Sequence, residues 1–308
     1  MQKTVDNKKI GVYNSKRKQG SQRKNLRRTK KEKRKMKKLV TLLLTVLLVV
    51  VGCIGLTACK KNDTKYVANA IVGAEDEQYG YCIAKTSTNK GAILAAINEV
   101  ISESNMEDVV AYFTSVSNDE TPAQTLTIPN LSDNTAGTLE IYTSSGFEPY
   151  EFISSDGVTV TGVDIYMMQL VAEKLNMQLH VNDVEFDGLV AAVAANNNAV
   201  GAAGISITDE RKLTMEFSDP YFSSVQYIIS KEADGFTSLE SLAGKKIGVQ
   251  KGTTGCNLVT EAIESGVLKD TGATIIEYET GAVAFVAMKQ GKCDNVVIDE
   301  LPAKKLVG

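Results

Sequence analysis

From position 138 onward, the apolar residues follow two alternating periods. Short β-branched and apolar runs at 139–143, 177–181, 200–205, 246–249, 274–278 and 295–298 have the length of buried strands. Between them, apolar stripes at three- and four-residue spacing predict helices over 165–175, 189–195, 257–265 and 282–289, with a short helical turn at 239–242. Strand and helix in alternation predict an α/β protein whose mainly parallel sheets are covered on both faces. Ligands of such sheets sit beyond the carboxyl ends of the strands. Upstream, Ile93, Leu94, Ile97, Val100 and Ile101 form one helical stripe. Ser104 and Glu107 fit a capping box for a second helix carrying Val109, Val110 and Phe113. Residues 118–137, with Pro122 and Pro129 among Asn, Ser and Thr, read as a linker.

The start of the chain follows other rules. Residues 39–58 carry no charge, are rich in Leu and Val, follow Met36-Lys37-Lys38 and end in Leu56-Thr57-Ala58-Cys59. A positive flank, an apolar stretch and small residues describe an export signal. The cysteine placed directly after them resembles the lipobox of bacterial lipoproteins, which implies lipidation at Cys59 and a polar tether over 59–65. An uncleaved membrane anchor is the alternative, since about 20 apolar residues can just span a bilayer. Either puts the rest of the chain outside the cytoplasm. Residues 1–35 extend the signal unusually far, as a start codon assigned too early would.

Charge agrees with that division. The whole chain has a net charge of −3, yet residues 1–40 hold 17 Lys or Arg against 2 Asp or Glu. Residues 41–308 hold 17 basic and 35 acidic groups, a net of −18. An acidic body of that size excludes nucleic acid as a partner. Cys82, Cys256 and Cys293 have no metal-site spacing, and His180 is the only histidine. No metal or cofactor is expected. Outside the cell a disulfide is permitted, and Cys256 with Cys293 is the expected pair.

Four stretches carry a family resemblance. They are Gly146-Phe147-Glu148-Pro149-Tyr150-Glu151-Phe152; Glu185-Phe186-Asp187-Gly188-Leu189; the run from Ala203 to Arg211 with Phe217-Ser218-Asp219-Pro220-Tyr221; and Gly248 to Gly255. Val297-Ile298-Asp299-Glu300 adds a shorter match. Together they resemble the family 3 solute-binding proteins, the amino-acid receptors of ABC importers. The resemblance implies a two-lobed type II periplasmic-binding-protein fold with the ligand between the lobes. It also implies an ABC permease as partner, a lipid-anchored monomer and no catalysis.

The chemistry of an amino acid fits the same positions. Arg211 can grip the α-carboxylate bidentately, as a lysine could not. Ser206 can donate a hydroxyl, and the N–H groups of Gly204 and Thr254 can donate from strand and helix ends. Asp299 can accept from the α-ammonium, while Phe147 and Phe186 flank the apolar part. Each has a plainer alternative. Arg211 can pair with Asp209 or Glu216 at the surface, Asp299 can cap the next helix, and either Phe can be core. Tyr150 and Phe152 are expected to pack beneath the site.

Three departures from the family matter. Ser144 stands where an acidic residue often reads the ligand side chain, which favours a neutral or polar amino acid, although Glu148 is near. Ala199 replaces a usual Asp. The family's final segment, a crossing strand and closing helices, is expected after the Asp299 strand, but its likeness lies upstream, at Glu77–Lys85 and the two helices that follow. A circular permutation accounts for this, with a truncated protein carrying a neighbour's remnant as the rival. The expected division is 1–58 signal, 59–65 tether, 66–117 completing lobe 1, 118–137 linker, 138–231 lobe 1 and 232–308 lobe 2. A ligand-sensing module for a membrane receptor is the main functional alternative. A dehydratase-like enzyme is less favoured, because His180 is expected in a strand away from the cleft.

Overall fold

The computed structural model describes residues 64–308. Cys59 and the apolar run at 39–58 lie outside the described residues. Among the described residues no helix is long and apolar enough to cross a membrane.

Two five-stranded sheets make two lobes. The first has strand order β7-β4-β8-β3-β9, formed by Gln178–Asp183, Thr138–Thr143, Val200–Gly201, Cys82–Ala84 and Met215–Phe217. The second has order β1-β11-β14-β12-β13, formed by Tyr66–Ala70, Gln226–Lys231, Asn295–Asp299, Lys246–Gln250 and Thr274–Tyr278. Each sheet is mainly parallel, as the alternation predicts, with one reversed strand: β3 in the first and β11 in the second. In the first, β4 pairs parallel with β7 and β8 while β3 pairs antiparallel with β8 and β9. In the second, β12 pairs parallel with β13 and β14 while β11 pairs antiparallel with β1 and β14. The reversed strands are those that the chain enters directly after crossing between the lobes. The crossing itself is a two-stranded ribbon of β2 (Glu77–Tyr79) and β10 (Phe222–Ser224).

Helices cover both faces. On the first sheet, α1 (Lys90–Glu103), α2 (Met106–Ser117) and α3 (Val163–Lys174) pack on one side, burying Ile97, Phe113 and Met167. Helix α4 (Phe186–Ala195) covers the other through Leu189 and Val193. On the second sheet, α6 (Thr254–Glu264) lies on one face, with α7 (Gly281–Lys289) and α8 (Glu300–Val307) on the opposite face. Most ends follow the hydrophobic periods, and the 3-10 turn at Leu239–Leu242 falls where a helical turn is expected. Helix α2 differs at its start. Asn105, not Ser104, is its cap, accepting from the Asp108 amide at 3.4 Å. Its amide-bearing side chain serves as well as the Ser104 hydroxyl, one residue nearer to the helix.

The upstream segment serves both lobes. Strand β1 adds to the edge of the second sheet, and β3 is inserted within the first, between β8 and β9. Residues 66–117 therefore do not complete lobe 1 alone, and β11 joins the second sheet although it precedes residue 232. The expected Cys256–Cys293 disulfide is absent: both thiols are free and buried. Cys256 belongs to the core under α6 and Cys293 to the core under α7, so they sit on opposite faces of one sheet. Burial pushes up the pKa of each thiol, which leaves both as small apolar fillers.

Candidate functional site

The parallel strands of both lobes point their carboxyl ends at one cleft. Strand β4 leads into Ser144–Phe147, β8 into Ala203–Ser206, β12 into Thr253–Thr254, and β14 ends on Asp299. A narrow cavity lies there, and all seven residues assigned to the ligand from the sequence line it: Phe147, Phe186, Gly204, Ser206, Arg211, Thr254 and Asp299.

Arg211 comes from the single-turn helix α5 (Asp209–Lys212), which Thr208 caps by accepting from the Arg211 amide. Its Nη1 donates to the Ser206 carbonyl at 2.8 Å and its Nη2 to the Gly252 carbonyl at 3.2 Å, one in each lobe. The guanidinium stands over the Phe186 ring, 5.5 Å from its centre. Its surface alternatives are engaged elsewhere. Asp209 pairs with Lys212 and Glu216 with Lys90, and no carboxylate forms a salt bridge with Arg211 among the described residues. Two of its five N–H groups are fixed by carbonyls, and the others remain for an anion.

Asp299 is the residue before α8, but its side chain makes no capping bond. It is buried, lines the cavity and accepts from the Tyr79 hydroxyl at 2.5 Å. Burial, and then the nearby Glu77 carboxylate, raise its pKa to about 7. Phe147 is 8% exposed and stacks on Tyr150 at 5.5 Å, so it is both core and cavity wall. It also explains Gly204: this residue has φ +53°, and a Cβ there would lie 2.6 Å from the Phe147 ring. The left-handed turn ends β8 at Gly201, short of the expected 200–205 strand.

Two donor assignments need correction. The Gly204 N–H does not face the cavity as a donor; it bonds Asp164 Oδ2 at 2.8 Å. Asp164 is fully buried beneath the site, accepts from the Tyr81 hydroxyl at 3.2 Å, and has its pKa raised to about 6 by burial. The Ser206 and Thr254 hydroxyls both donate to Glu77 Oε2, each at 2.6 Å. A hydroxyl has one proton, so neither is free to donate to a ligand in this arrangement.

Sequence reasoning missed three acids. Glu77 opens the upstream stretch at 77–85 and Asp164 follows the stretch at 146–152, but no local spacing marks either as a site residue. Glu151 was legible in principle, because it lies inside the stretch at 146–152, between the two aromatics assigned to packing. It is 0% exposed, lines the cavity, and neither of its carboxylate oxygens accepts a hydrogen bond from the described residues. Burial first, then the Asp164 carboxylate, push its pKa well above the ordinary value. His180 lies elsewhere, exposed on β7 and paired with Glu140 at 2.7 Å.

Residues 139–297 match the family profile of bacterial extracellular solute-binding proteins, family 3. A probable histidine-binding protein of Campylobacter jejuni is 31% identical over 172 residues, which is 56% of this chain and 63% of that protein. The arginine-binding extracellular protein ArtP of Bacillus subtilis is 32% identical over 111 residues, 36% of this chain and 43% of that protein. The chain thus spans less than two thirds of the length of these relatives. Among solved structures, an ancestral arginine-binding protein bound to arginine superposes with a TM-score of 0.52 at 37% identity, over 56% of this chain and 74% of that one. The two-lobed α/β architecture is therefore that of the type II periplasmic binding proteins.

Proposed function

Because this chain belongs to the bacterial extracellular solute-binding proteins, family 3, we propose that it captures an amino acid with a cationic side chain and delivers it to an ABC importer. The observation that carries the side-chain assignment is Glu151. A fully buried carboxylate with no hydrogen-bond partner is costly, and a cation in the cavity removes that cost. In this reading Arg211 holds the α-carboxylate, Asp299 the α-ammonium and Glu151 the side-chain cation. The flat faces of Phe147 and Phe186 line the methylene stem. The acidic body, −18 over residues 41–308, also attracts a basic ligand at long range. Relatives named for arginine and histidine agree with this choice. The expectation of a neutral or polar ligand rested on Phe147, Phe186 and the lack of an acid at Ser144, and gave no weight to Glu151.

The test is a thermal-melt screen against the common amino acids, repeated on Glu151→Gln. Arginine or another basic amino acid should give the largest rise, and a ligand bound only by the folded form must raise the melting temperature. The substitution should weaken basic ligands about 100-fold, the usual scale for removing one partner of a buried charge pair, and leave neutral ones nearly unchanged. A larger rise with a neutral amino acid in the wild-type protein would overturn the assignment.

Transport rests on family membership, and so does the absence of catalysis. Anchoring to the outer face of the membrane through Cys59 rests on the Leu56-Thr57-Ala58-Cys59 sequence. The protein is taken to act as a monomer without a cofactor.

The chain order is read as a circular permutation. Support comes from the strands ahead of the family match: β1 extends the second sheet, β2 forms the crossing and β3 lies inside the first sheet. Helix α8 packs against β1, so the last described helix lies beside the strand that opens the upstream segment, as a permuted junction requires. Moving residues 64–117 to follow Gly308 should preserve the melting temperature within a few degrees and retain ligand affinity. Deleting them should abolish cooperative melting, because β3 and the α1 and α2 faces leave the core with them. A cooperative, ligand-binding protein after deletion would refute the permutation.

A further inference from the structure

We propose that Glu77 is a positioning residue that latches the two lobes over the cavity. It stands at the start of the crossing strand β2 and was not among the residues assigned to the ligand. Its Oε2 takes the hydroxyl protons of Ser206, from the first lobe, and Thr254, from the second. Its Oε1 accepts from Gln226 Nε2 at 3.0 Å, at the start of β11, where the chain enters the second sheet. One carboxylate thus joins both lobes and the crossing, and the Ser206 and Thr254 oxygens come within 3.4 Å of each other around it. Opening the cleft parts Ser206 from Thr254, so at least one of these charge-assisted bonds must break.

The arrangement divides labour between the chain and the ligand. Arg211 keeps free N–H groups for the ligand, whereas Ser206 and Thr254 have given theirs to Glu77. Their hydroxyls therefore act on closure and not on ligand selection. A group that stabilises the closed form raises the affinity for every ligand by the same factor, because apparent affinity scales with the population of the competent form. A group that touches the ligand changes affinities unequally. This inference rests on the reading of the cavity as an amino-acid cleft, but its structural part can be measured without any ligand.

The experiment compares wild type, Glu77→Gln and Thr254→Val, with spin labels on Leu213→Cys in the first lobe and Val283→Cys in the second. Both positions are exposed, 76% and 47%, and Cys82, Cys256 and Cys293 are buried. Without ligand, Glu77→Gln should shift the interlobe distance distribution to longer values. Calorimetry should show about tenfold weaker binding of two chemically different amino acids by the same factor, with faster dissociation. The double variant should be no weaker than Glu77→Gln alone, since both substitutions break one latch. If Glu77→Gln does not fold, Thr254→Val carries the same two readouts. An unchanged ligand-free distance would overturn the latch, as would a gain in affinity or losses that differ between ligands. Should the wild-type protein bind no amino acid, the cleft reading fails while the distance measurement still decides the latch.

Discussion

Replacing Arg211 by alanine is expected to weaken binding of the captured amino acid by two to three orders of magnitude, about the loss when one partner of a buried charge pair is truncated. Among the described residues the guanidinium is the one cationic side chain lining the cavity. It is held by carbonyls from both lobes, Ser206 and Gly252, and so meets the α-carboxylate already oriented. Removing it leaves that carboxylate desolvated beside Asp299 and Glu151, two acids that repel it. Lysine should rescue only part of the loss, because a single ammonium cannot span two carboxylate oxygens in the bidentate geometry. Stability should move the other way or little, since Arg211 makes no salt bridge and burial already disfavours its charge. Calorimetry on Arg211→Ala and Arg211→Lys, with melting curves of both, checks this. Near wild-type affinity for either variant's best ligand would remove Arg211 from the site.

How much of this was legible in advance depends on what makes each feature local. The strands from β12 to β14 and the helices between them follow periods of two and 3.6 within short windows, and their limits shift by only a few residues. The binding loops were readable for a related reason: each follows the carboxyl end of a strand, so a short stretch carries both the turn and the side chains. The reversed strand in each sheet was not readable. Whether β3 enters between β8 and β9 or beside β4 is decided by the crossing at β2, and nothing within Cys82–Ala84 encodes direction. Strand β1 was missed because its five residues, Tyr66–Ala70, are half exposed at a sheet edge and carry no alternation. The donor assignments failed through long-range competition. Gly204 and Asp164 are 40 positions apart, and Ser206 and Glu77 are 129 apart, so the partner that takes each proton appears only in three dimensions. Glu151 is different again. Its stretch was recognised, but its burial depends on the turn that pairs Phe147 with Glu151, which spacing does not disclose.

Those buried acids set the largest solution effect expected of the fold, a loss of ligand-free stability as pH rises from about 4 to about 7. The direction follows from proton counting. An unfolded Asp or Glu releases its proton near pH 4, whereas Asp164 holds its proton to about 6 and Asp299 to about 7, and Glu151 is also raised. Between those limits the folded state binds more protons than the unfolded chain, so stability must fall with pH. Burial sets the sign, and the Glu77 carboxylate adds to it at Asp299. The Tyr79 hydroxyl at Asp299, and the Gly204 N–H and Tyr81 hydroxyl at Asp164, donate to the ionised forms and offset part of the shift. Two raised groups of this kind together put the effect on the order of several kcal/mol. The exposed Glu140, whose hydrogen bond from His180 lowers its pKa, works in the opposite sense but in water. A ligand with two cations reverses the balance, because an ammonium at Asp299 and a side-chain cation at Glu151 favour the ionised acids. Binding near pH 6 should therefore release protons, visible as a dependence of the calorimetric heat on buffer, and affinity should rise toward pH 8. Melting curves from pH 4.5 to 8 should show the ligand-free midpoint falling while the ligand-induced rise grows, and Asp299→Asn should flatten both trends near pH 7. A ligand-free midpoint that climbs steadily over that range would mean that these carboxylates are ionised in the folded protein, and the cation-balancing account of the cavity would fall with it.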